Sequence, residues 1–234
     1  MSVRNNSPYW RHDAYTLRRL QGAVIECIQK ARQLGGLGPD TTVVDLGCGD
    51  APYKDLFVAA GASYLACDLQ SGPQVDLVLS ADGSVPLPDS TARCVTSFQV
   101  LEHVWDLDLY LSECRRLLEK DGLLILTTHG SWLYHPHPAD FRRWTRDGLE
   151  RELSSRGFSV IECWSVVGPL AWTTQFRTLA YHHVFQRLGL PGRLLSAAFC
   201  ALMYLRMSFE DMVTPSDLRR NNAAVYVMLA RPVP

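Results

Sequence analysis

The sequence predicts a single α/β domain with a doubly wound sheet of seven strands and a helical insertion before the last strand. Short β-branched apolar runs alternate with segments of helical periodicity, which is typical of such sheets. Several of these runs end in an acidic or polar residue. The 234 residues, of which 47% are hydrophobic, suffice for one sizeable core.

The first elements follow from apolar spacing and from glycines. Residues 13–33 carry an apolar face at helical spacing, and Gly35, Gly36 and Gly38 end that helix. A strand follows at 42–46, and then a helix at 52–60, which Gly61 ends. The later predicted elements are strands at 63–67, 75–79, 94–98, 123–127, 160–166 and 223–230, and helices at 107–118 and 145–156.

Turn residues support the later helices. Asp106 precedes the helix at 107–118, with Gly122 beyond it, and Gly157 ends the helix at 145–156. The strand at 123–127 is apolar enough to be buried on both faces.

The chain divides into an N-terminal helical segment (1–38), a core (39–167), an insertion (168–215) and a final strand segment (216–234). The insertion is mostly apolar and helical, and three interpretations stay open. It caps a substrate pocket, forms a homodimer interface, or contacts a membrane surface peripherally through Arg177, Arg187 and Arg193.

Composition argues against several classes of protein. The formal net charge is −1, without a long basic block, so nucleic acid is not an expected partner. Seven scattered cysteines without a paired motif indicate reduced thiols rather than disulfides or zinc. The first residues, including Arg4, Asn5 and Asn6, lack a signal-peptide pattern, and no apolar run is long enough for a transmembrane segment, so we expect a cytoplasmic protein.

Residues 43–50, Val-Val-Asp-Leu-Gly-Cys-Gly-Asp, form the most informative motif. They predict a strand, a glycine turn and the start of a helix, and such a turn brings backbone N–H groups close to a ligand. The ligand is a dinucleotide or S-adenosylmethionine (SAM). A dinucleotide motif requires a third glycine, and none follows Gly47 and Gly49 at that spacing, so SAM is favoured.

Polar residues at the carboxyl ends of the strands are the candidate cofactor contacts. Asp68 lies 21 residues after Gly47, where an acid can accept both hydroxyls of a ribose. Asp82 can accept from an adenine amine, and the Gly83 N–H can serve the ring nitrogens. Each acid alone could instead form a turn or a helix cap.

These motifs together resemble the class I SAM-dependent methyltransferases of the type-11 group over residues 40–165. The matching pieces lie at 43–49, 67–68, 81–83 with 85–88, 99–104 and 117–123. The resemblance implies a mostly parallel, Rossmann-like sheet with one antiparallel strand. It also implies binding of SAM, with S-adenosylhomocysteine as product. The implied cofactor-binding residues are Asp45, Gly47, Cys48, Gly49, Asp68, Leu69, Asp82, Gly83, Gln99 and Val100. Residues 50–52, Asp-Ala-Pro, depart from the pattern, because many relatives have another glycine there.

The segment 129–145 follows the fifth strand, where a substrate pocket is expected. It resembles a segment of type-11 relatives encoded with polysaccharide and secondary-metabolite pathways. A hydroxyl acceptor needs a base, and the candidate catalytic residues are His103, His129 and His135. Each of these histidines could instead be structural.

Other residues near this segment have two interpretations. His135 and His137 with Asp140 could hold a metal, although no third ligand follows from the spacing and no metal is expected. Arg142 and Arg143 could bind an anionic substrate group or form a solvated helix start. The aromatic rings could stack on a substrate or belong to the core, namely Trp132, Tyr134 and Trp144.

The predicted function is methyl transfer from SAM to a small-molecule or glycan acceptor, with oxygen as the favoured atom. N- or C-methylation is the first alternative, and an inactive SAM-binding scaffold is the second. A nicotinamide-dependent dehydrogenase is weakened by the missing third glycine. The segment 9–12, Tyr-Trp-Arg-His, is aromatic and polar and precedes the first helix, where related folds often close over the cofactor.

Overall fold

Seven β-strands form one mixed sheet in the computed structural model, which describes residues 7–80, 82–137 and 139–233. The strand order is β3-β2-β1-β4-β5-β7-β6, and only β7 runs antiparallel to its neighbours. The strands are β1 (Thr42–Leu46), β2 (Ser63–Asp68), β3 (Leu77–Val78), β4 (Ala92–Phe98), β5 (Leu118–His129), β6 (Phe158–Val166) and β7 (Val225–Pro232). The α/β sheet of seven strands with one antiparallel strand is thereby confirmed.

Helices cover both faces of this sheet. They are α1 (Ala14–Gln33), α2 (Lys54–Ala59), α3 (Leu107–Leu117), α4 (Arg146–Ser155), α5 (Pro169–Gln186), α6 (Gly189–Val213) and α7 (Ser216–Asn221). Side chains alternate between the faces along each strand. Val43 and Ile125 pack with α1, whereas Val44 and Leu124 pack with α3 and α4. The core therefore has two layers, one on each side of the sheet.

Several predicted boundaries agree with the structure, and others differ by two or more residues. β1 occupies the predicted residues, and Asp106 accepts a hydrogen bond from the Leu109 N–H at the start of α3, 3.0 Å away. β3 has two residues instead of five, because its segment alternates half-buried and exposed residues and none is fully buried. The chain passes from α3 directly into β5 at Leu118, so Gly122 lies inside that strand and does not end the helix. The α2 helix begins at Lys54, two residues later than predicted.

The insertion consists of the long helices α5 and α6, which pack against each other as an antiparallel hairpin, followed by the short α7. A buried polar network holds the base of the hairpin to α1. Asp211 accepts hydrogen bonds from the Tyr15 hydroxyl and the Gly168 N–H, each at 2.7 Å. Gln175 donates to the His12 carbonyl at 2.6 Å. These bonds fix the base of the hairpin to α1 and to His12, which precedes it.

Residues before α1 pack on the hairpin. The His12 ring stacks on His182 with centroids 4.2 Å apart, and Tyr9 meets Tyr204 edge to face at 5.0 Å.

In the described part of the chain, no helix combines the length and apolar character needed to cross a bilayer. Arg4, Asn5, Asn6, Ala81 and Pro138, which the sequence motifs include, lie outside the described residues.

Candidate active site

The glycine turn after β1 lies at the topological switch point of the sheet. β1 pairs with β2 on one side and with β4 on the other, so the connections leave in opposite directions and open a crevice there. The N–H groups of Gly47 and Cys48 both donate to the Cys67 carbonyl, at 2.8 and 3.0 Å. These two bonds fix the turn against the end of β2.

Gly47 must be a glycine for two separate reasons. Its φ is 76°, a conformation that side chains disfavour. A Cβ atom there would also lie only 2.6 Å from Cγ2 of Val100. The turn after β1 and the loop after β4 are therefore in close contact, as a shared binding site requires.

Asp68 faces this turn from the end of β2. Its Oδ2 accepts the Gly49 N–H at 2.9 Å, and its Oδ1 accepts the Gln70 N–H at 3.3 Å. A carboxylate has about four acceptor positions, so further hydrogen bonds to a ribose diol remain open to it. A Cβ at Gly49 would meet no atom within 4 Å, so the space over the turn is open. These features fit SAM.

Asp45 has a different place from the one expected. It is fully buried, and its two oxygens accept hydrogen bonds from the hydroxyls of Tyr64 and Thr96. Burial raises the pKa of Asp45 to about 6, even though both hydrogen bonds act to lower the pKa. In this geometry the side chain has no exposed surface, and it supports the turn from behind.

Cys48 and Leu69 differ in exposure. The Cys48 side chain is buried, and this burial raises the pKa of its thiol to about 12, so the residue offers only its backbone to the crevice. Leu69 follows Asp68 and is 56% exposed, which leaves its side chain free to cover a bound ring. Ala51 adopts a φ of 47°, the left-handed conformation that the glycine of many relatives would adopt more easily.

Asp82 and Gly83 form a polar turn after β3. Oδ1 of Asp82 accepts the Ser84 N–H at 3.0 Å and the Ser84 hydroxyl at 2.8 Å, and these bonds lower the pKa of Asp82. Gly83 has a φ of 88° and open space at its Cα. The carboxylate is exposed, with Oδ2 available to a ligand.

Gln99 ends β4 in an unusual conformation. Its φ is 57°, and its N–H donates to the Thr127 carbonyl at 3.0 Å. Its side-chain amide donates to the Thr127 hydroxyl at 3.1 Å. These bonds turn the chain sharply, so that Val100 packs on Gly47 and a 3₁₀ turn, Leu101–His103, follows at once.

A buried acid and a histidine lie behind this 3₁₀ turn. Nδ1 of His129 is 3.0 Å from Oε1 of Glu102, and the Thr128 hydroxyl donates to Oε2 at 2.8 Å. Burial acts to raise the pKa of Glu102, but the contacts with His129 and Thr128 outweigh it and lower the pKa. Glu102 is fully buried and His129 is 5% exposed. The pair therefore stabilises the junction of the two loops.

Four histidine rings meet at the ends of β4 and β5. The His135 ring lies 5.7 Å from both His103 and His129 and 4.6 Å from His137, measured between centroids. Burial and the three neighbouring rings lower the pKa of His135 to about 4, so it is neutral and a weak base. The Nδ1 of His103 contacts the Ala139 carbonyl. Because a carbonyl only accepts, Nδ1 carries the proton and Nε2 is left as an acceptor.

The loop that carries these histidines is held by its own side chains. Arg143 donates to Asp140 at 2.7 Å, which lowers the pKa of Asp140 to about 2, and Asp140 in turn accepts the His135 N–H at 2.7 Å. Arg142 donates to the carbonyls of Val104 and Trp105. Both arginines therefore make hydrogen bonds within the loops.

The aromatic residues separate into core and surface. Trp144 is buried with the α3–α4 layer, and Trp132 packs partly against the other layer. Tyr134 and Trp105 are 78% and 72% exposed. Among the described residues, no group of three or more histidine, cysteine or acidic side chains is arranged to hold a metal ion, so a metal at His135 and its neighbours is not supported.

Sequence reasoning missed the Glu102 contact with His129 and Thr128. An acid inside the apolar run Val-Leu-Glu-His-Val was a signal, because a buried acid needs a partner.

A concave region elsewhere, with a volume of about 610 Å³, lies between α1, β6 and α7. Five arginines and two glutamates line it, and Arg18 is bonded to the Ser7 carbonyl. None of the candidate cofactor residues lines this region, so it is not the candidate site.

Comparison with known proteins agrees with this geometry. A family model described as a methyltransferase domain matches residues 9–163, more than half of the chain and all candidate site residues. A Mycobacterium tuberculosis protein named "Probable S-adenosylmethionine-dependent methyltransferase" is 29% identical over 143 residues, which cover 54% of this chain and 52% of that protein. Malonyl-[acyl-carrier protein] O-methyltransferase of Methylococcus capsulatus is 30% identical, over 53% and 54% of the two chains.

The chain thus spans about half the length of the curated relatives that it matches. Among solved structures, the 1,6-didemethyltoxoflavin-N1-methyltransferase of Burkholderia thailandensis, with S-adenosylhomocysteine bound, has a TM-score of 0.55 at 17% identity. That match covers 89% of this chain and 76% of the other, and it supports the fold. By its sheet, its glycine turn and its family match, this chain belongs to the class I SAM-dependent methyltransferases.

Proposed function

We propose that this protein transfers the methyl group of SAM to a hydroxyl oxygen of a small-molecule or glycan acceptor. The observation that carries the proposal is the place of His103. The residue before its 3₁₀ turn packs on Gly47, and its Nδ1 is committed to the Ala139 carbonyl. Its Nε2 is therefore a proton acceptor at the edge of the candidate cofactor turn.

In this proposal each residue has a defined task. SAM supplies an electrophilic methyl group when it is bound. Asp68 and the glycine turn orient the cofactor, and Asp45 supports that turn from behind. His103 Nε2 takes the proton of the acceptor hydroxyl, because an alcohol is a poor nucleophile until its proton is removed. Alignment and exclusion of water supply the rest of the acceleration.

The other histidines have supporting tasks. His129 is nearly inaccessible and is paired with Glu102, so it fixes the loops rather than meeting the acceptor. His135, with its pKa lowered to about 4, contributes a neutral ring beside His103. We therefore favour His103 over His129 and His135 as the base.

The exposed aromatic rings support an acceptor with a ring. Trp105 and Phe141 meet edge to face at 5.2 Å, and Tyr134 extends from the same loop. Flat aromatic faces bind sugar and aromatic rings well. This supports a glycan or a cyclic natural product, as the resemblance to polysaccharide and secondary-metabolite methyltransferases implied.

The test starts with calorimetric titration of the protein with SAM, S-adenosylhomocysteine and NAD. Binding of the first two but not of NAD is expected. Transfer of a labelled methyl group from SAM is then followed with sugars and phenols, each beside the amine of matching structure. Transfer to the hydroxyl compounds supports the proposal, whereas transfer to amines alone contradicts O-methylation.

Replacement of His103 tests the assignment of the base. We expect His103→Ala to lower turnover of a hydroxyl acceptor by about two to four orders of magnitude, with SAM affinity nearly unchanged. His183→Ala, on the exposed side of α5, is the matched control and keeps full turnover. A wild-type rate in His103→Ala would remove this residue from the chemical step.

A further inference from the structure

The hairpin of α5 and α6 presents a continuous apolar face to solvent. Apart from one adjacent pair, its residues on α6 recur at intervals of three, four or seven, so they lie on one broad side of the helix. Seven of them are between 51% and 71% exposed, namely Leu190, Leu194, Leu195, Leu202, Leu205, Phe209 and Met212. In the described part of the chain no other element covers this stripe. The exposed Tyr181 and Val184 of α5 and Leu188 of the turn between the helices add to it.

Over most of its length the hairpin carries charge of one sign, because its acids, Glu210 and Asp211, lie near the end of α6. From Pro169 to Phe209 the sequence has no aspartate or glutamate, and it has four arginines, Arg177, Arg187, Arg193 and Arg206. All four are exposed. Arg206 pairs with Glu210 at 2.7 Å, beyond the acid-free stretch. Arg187 and Arg193 flank the turn between the helices, beside the exposed Leu188 and Leu190.

We propose that this face docks on the surface of an anionic lipid bilayer. An apolar helical stripe bordered by arginines and without acids is the composition of a helix that lies in a membrane interface. Leucines enter the region between headgroups and acyl chains, while arginines meet lipid phosphates. No described helix can span a bilayer, so the hairpin lies along the surface.

A second copy of this chain fits the face less well. Two identical faces in contact would bring Arg187 and Arg193 of each copy toward a surface whose acids, Glu210 and Asp211, are already bonded to Arg206 and Tyr15. An anionic bilayer presents negatively charged lipid phosphates to these arginines. The family match ends at residue 163, before α5, so the hairpin is a feature of this chain beyond the matched region.

Docking would also bring the acceptor loop close to the membrane. Trp132, in the loop after β5, contacts Phe176 of α5 with ring centroids 5.8 Å apart. The base of the hairpin is thus beside the candidate active site. The docking itself is independent of the methyl acceptor and is tested without an activity assay.

The experiment is flotation of the purified full chain with lipid vesicles. One set consists of phosphatidylcholine alone, and the other contains phosphatidylglycerol as well. We expect binding to the anionic vesicles that weakens as salt is added, since salt screens exposed charges. Arg187→Glu with Arg193→Glu should lower the partition coefficient at least about tenfold. Arg151→Glu on the exposed side of α4 is the matched control and should bind nearly as well.

The apolar contribution is tested separately. Leu194→Glu with Leu202→Glu should abolish flotation, while Val58→Glu, at an exposed apolar position on α2, should leave it intact. All replaced side chains are exposed, so circular dichroism should show an unchanged fold. Absence of flotation with anionic vesicles, or equal binding to phosphatidylcholine alone, would overturn the proposal. A dimer in light scattering that the leucine variant converts to a monomer would also overturn it, in favour of a second copy.

Discussion

At the scale of single residues, two aspartates on either side of the glycine turn have opposite environments. Asp45 is buried and bonded to two hydroxyls from neighbouring strands, whereas Asp68 is held by backbone N–H groups at the edge of the crevice. The first determines the shape of the turn and the second is available to a ligand. Substitutions at the two positions should therefore have different consequences.

Replacement of Asp68 should weaken cofactor binding without unfolding the protein. We expect Asp68→Ala to reduce the affinity for SAM and S-adenosylhomocysteine by about 1–3 kcal/mol, because charge-assisted hydrogen bonds are lost. Calorimetric titration measures this change. Asp55→Ala, an exposed acid on α2, controls for the loss of a negative charge. Unchanged affinity in Asp68→Ala would remove this residue from the ribose site.

Replacement of Asp45 should change how stability depends on pH. The folded-state pKa of about 6 exceeds the ordinary value of 3.8, so the folded protein binds this proton more tightly. That contribution to stability is complete below pH 3.8 and is lost as the pH rises through 6. Asp45→Asn lacks it. The stability of the natural protein relative to Asp45→Asn should fall by about 1–2 kcal/mol between mildly acidic and mildly alkaline pH.

Urea unfolding at both pH values measures this difference, with Asp55→Asn on α2 as the control variant. If the natural protein instead gains stability relative to Asp45→Asn as the pH rises, then Asp45 is not a buried acid with a raised pKa.

The position of Asp45 could not be predicted, because Tyr64 and Thr96 reach it from β2 and β4, far along the chain. Asp68 was predictable, because only its own strand end and the neighbouring turn define its place.

At the scale of elements, the boundary of a strand or helix was predictable where the local sequence pattern determines it, and not where a contact with a distant segment does. β1 was predicted residue for residue, because an apolar run and a glycine turn bound it. The beginning of β5 was wrong, because pairing of Leu118 with Ala92 extends that strand across a glycine that resembles a helix stop. The helical character of the segment 168–215 was predicted, but its fixation to α1 was not, because Tyr15 and Asp211 are distant in sequence.

That fixation gives a prediction about stability. Asp211 is 3% exposed and accepts from both Tyr15 and Gly168, so Asp211→Ala leaves two buried donors without an acceptor. We expect a loss of about 2–4 kcal/mol in the free energy of unfolding. Tyr15→Phe removes only one of these bonds and should cost about 1–2 kcal/mol. Urea unfolding decides, with the exposed Asp217→Ala on α7 as control; equal stability of all three variants would contradict the role of the network.

At the scale of the whole molecule, the strand order concentrates the candidate site at one edge of the sheet. The carboxyl ends of β1, β2, β4 and β5 contribute, respectively, the glycine turn, Asp68, Gln99 and His129. This clustering was predictable, because parallel strands deliver their ends to the same edge. The contacts between loops, such as Glu102 with His129, were not, because loop conformation is set by the assembled site.

Ligand binding at this edge should stabilise the whole domain. At a concentration of S-adenosylhomocysteine one hundred times its Kd, stability should rise by about 2.7 kcal/mol, and the melting temperature by about 5–10 °C. Thermal denaturation with and without the ligand measures this effect. NAD at the same concentration is the control and should leave the melting temperature unchanged. Stabilisation by NAD alone would indicate a dinucleotide site.

The position of β7 between β5 and β6 has a consequence for the order in which the protein folds during synthesis. In the described sheet β6 pairs only with β7, and the hairpin and α7 separate these two strands along the chain. β6 must therefore leave the ribosome well before its partner exists, while the edge of β5 stays unpaired. Unpaired strand edges invite association between nascent chains. Completion of the sheet thus depends on its last strand, and a chaperone that shields β5 and β6 until then would raise the yield of native protein.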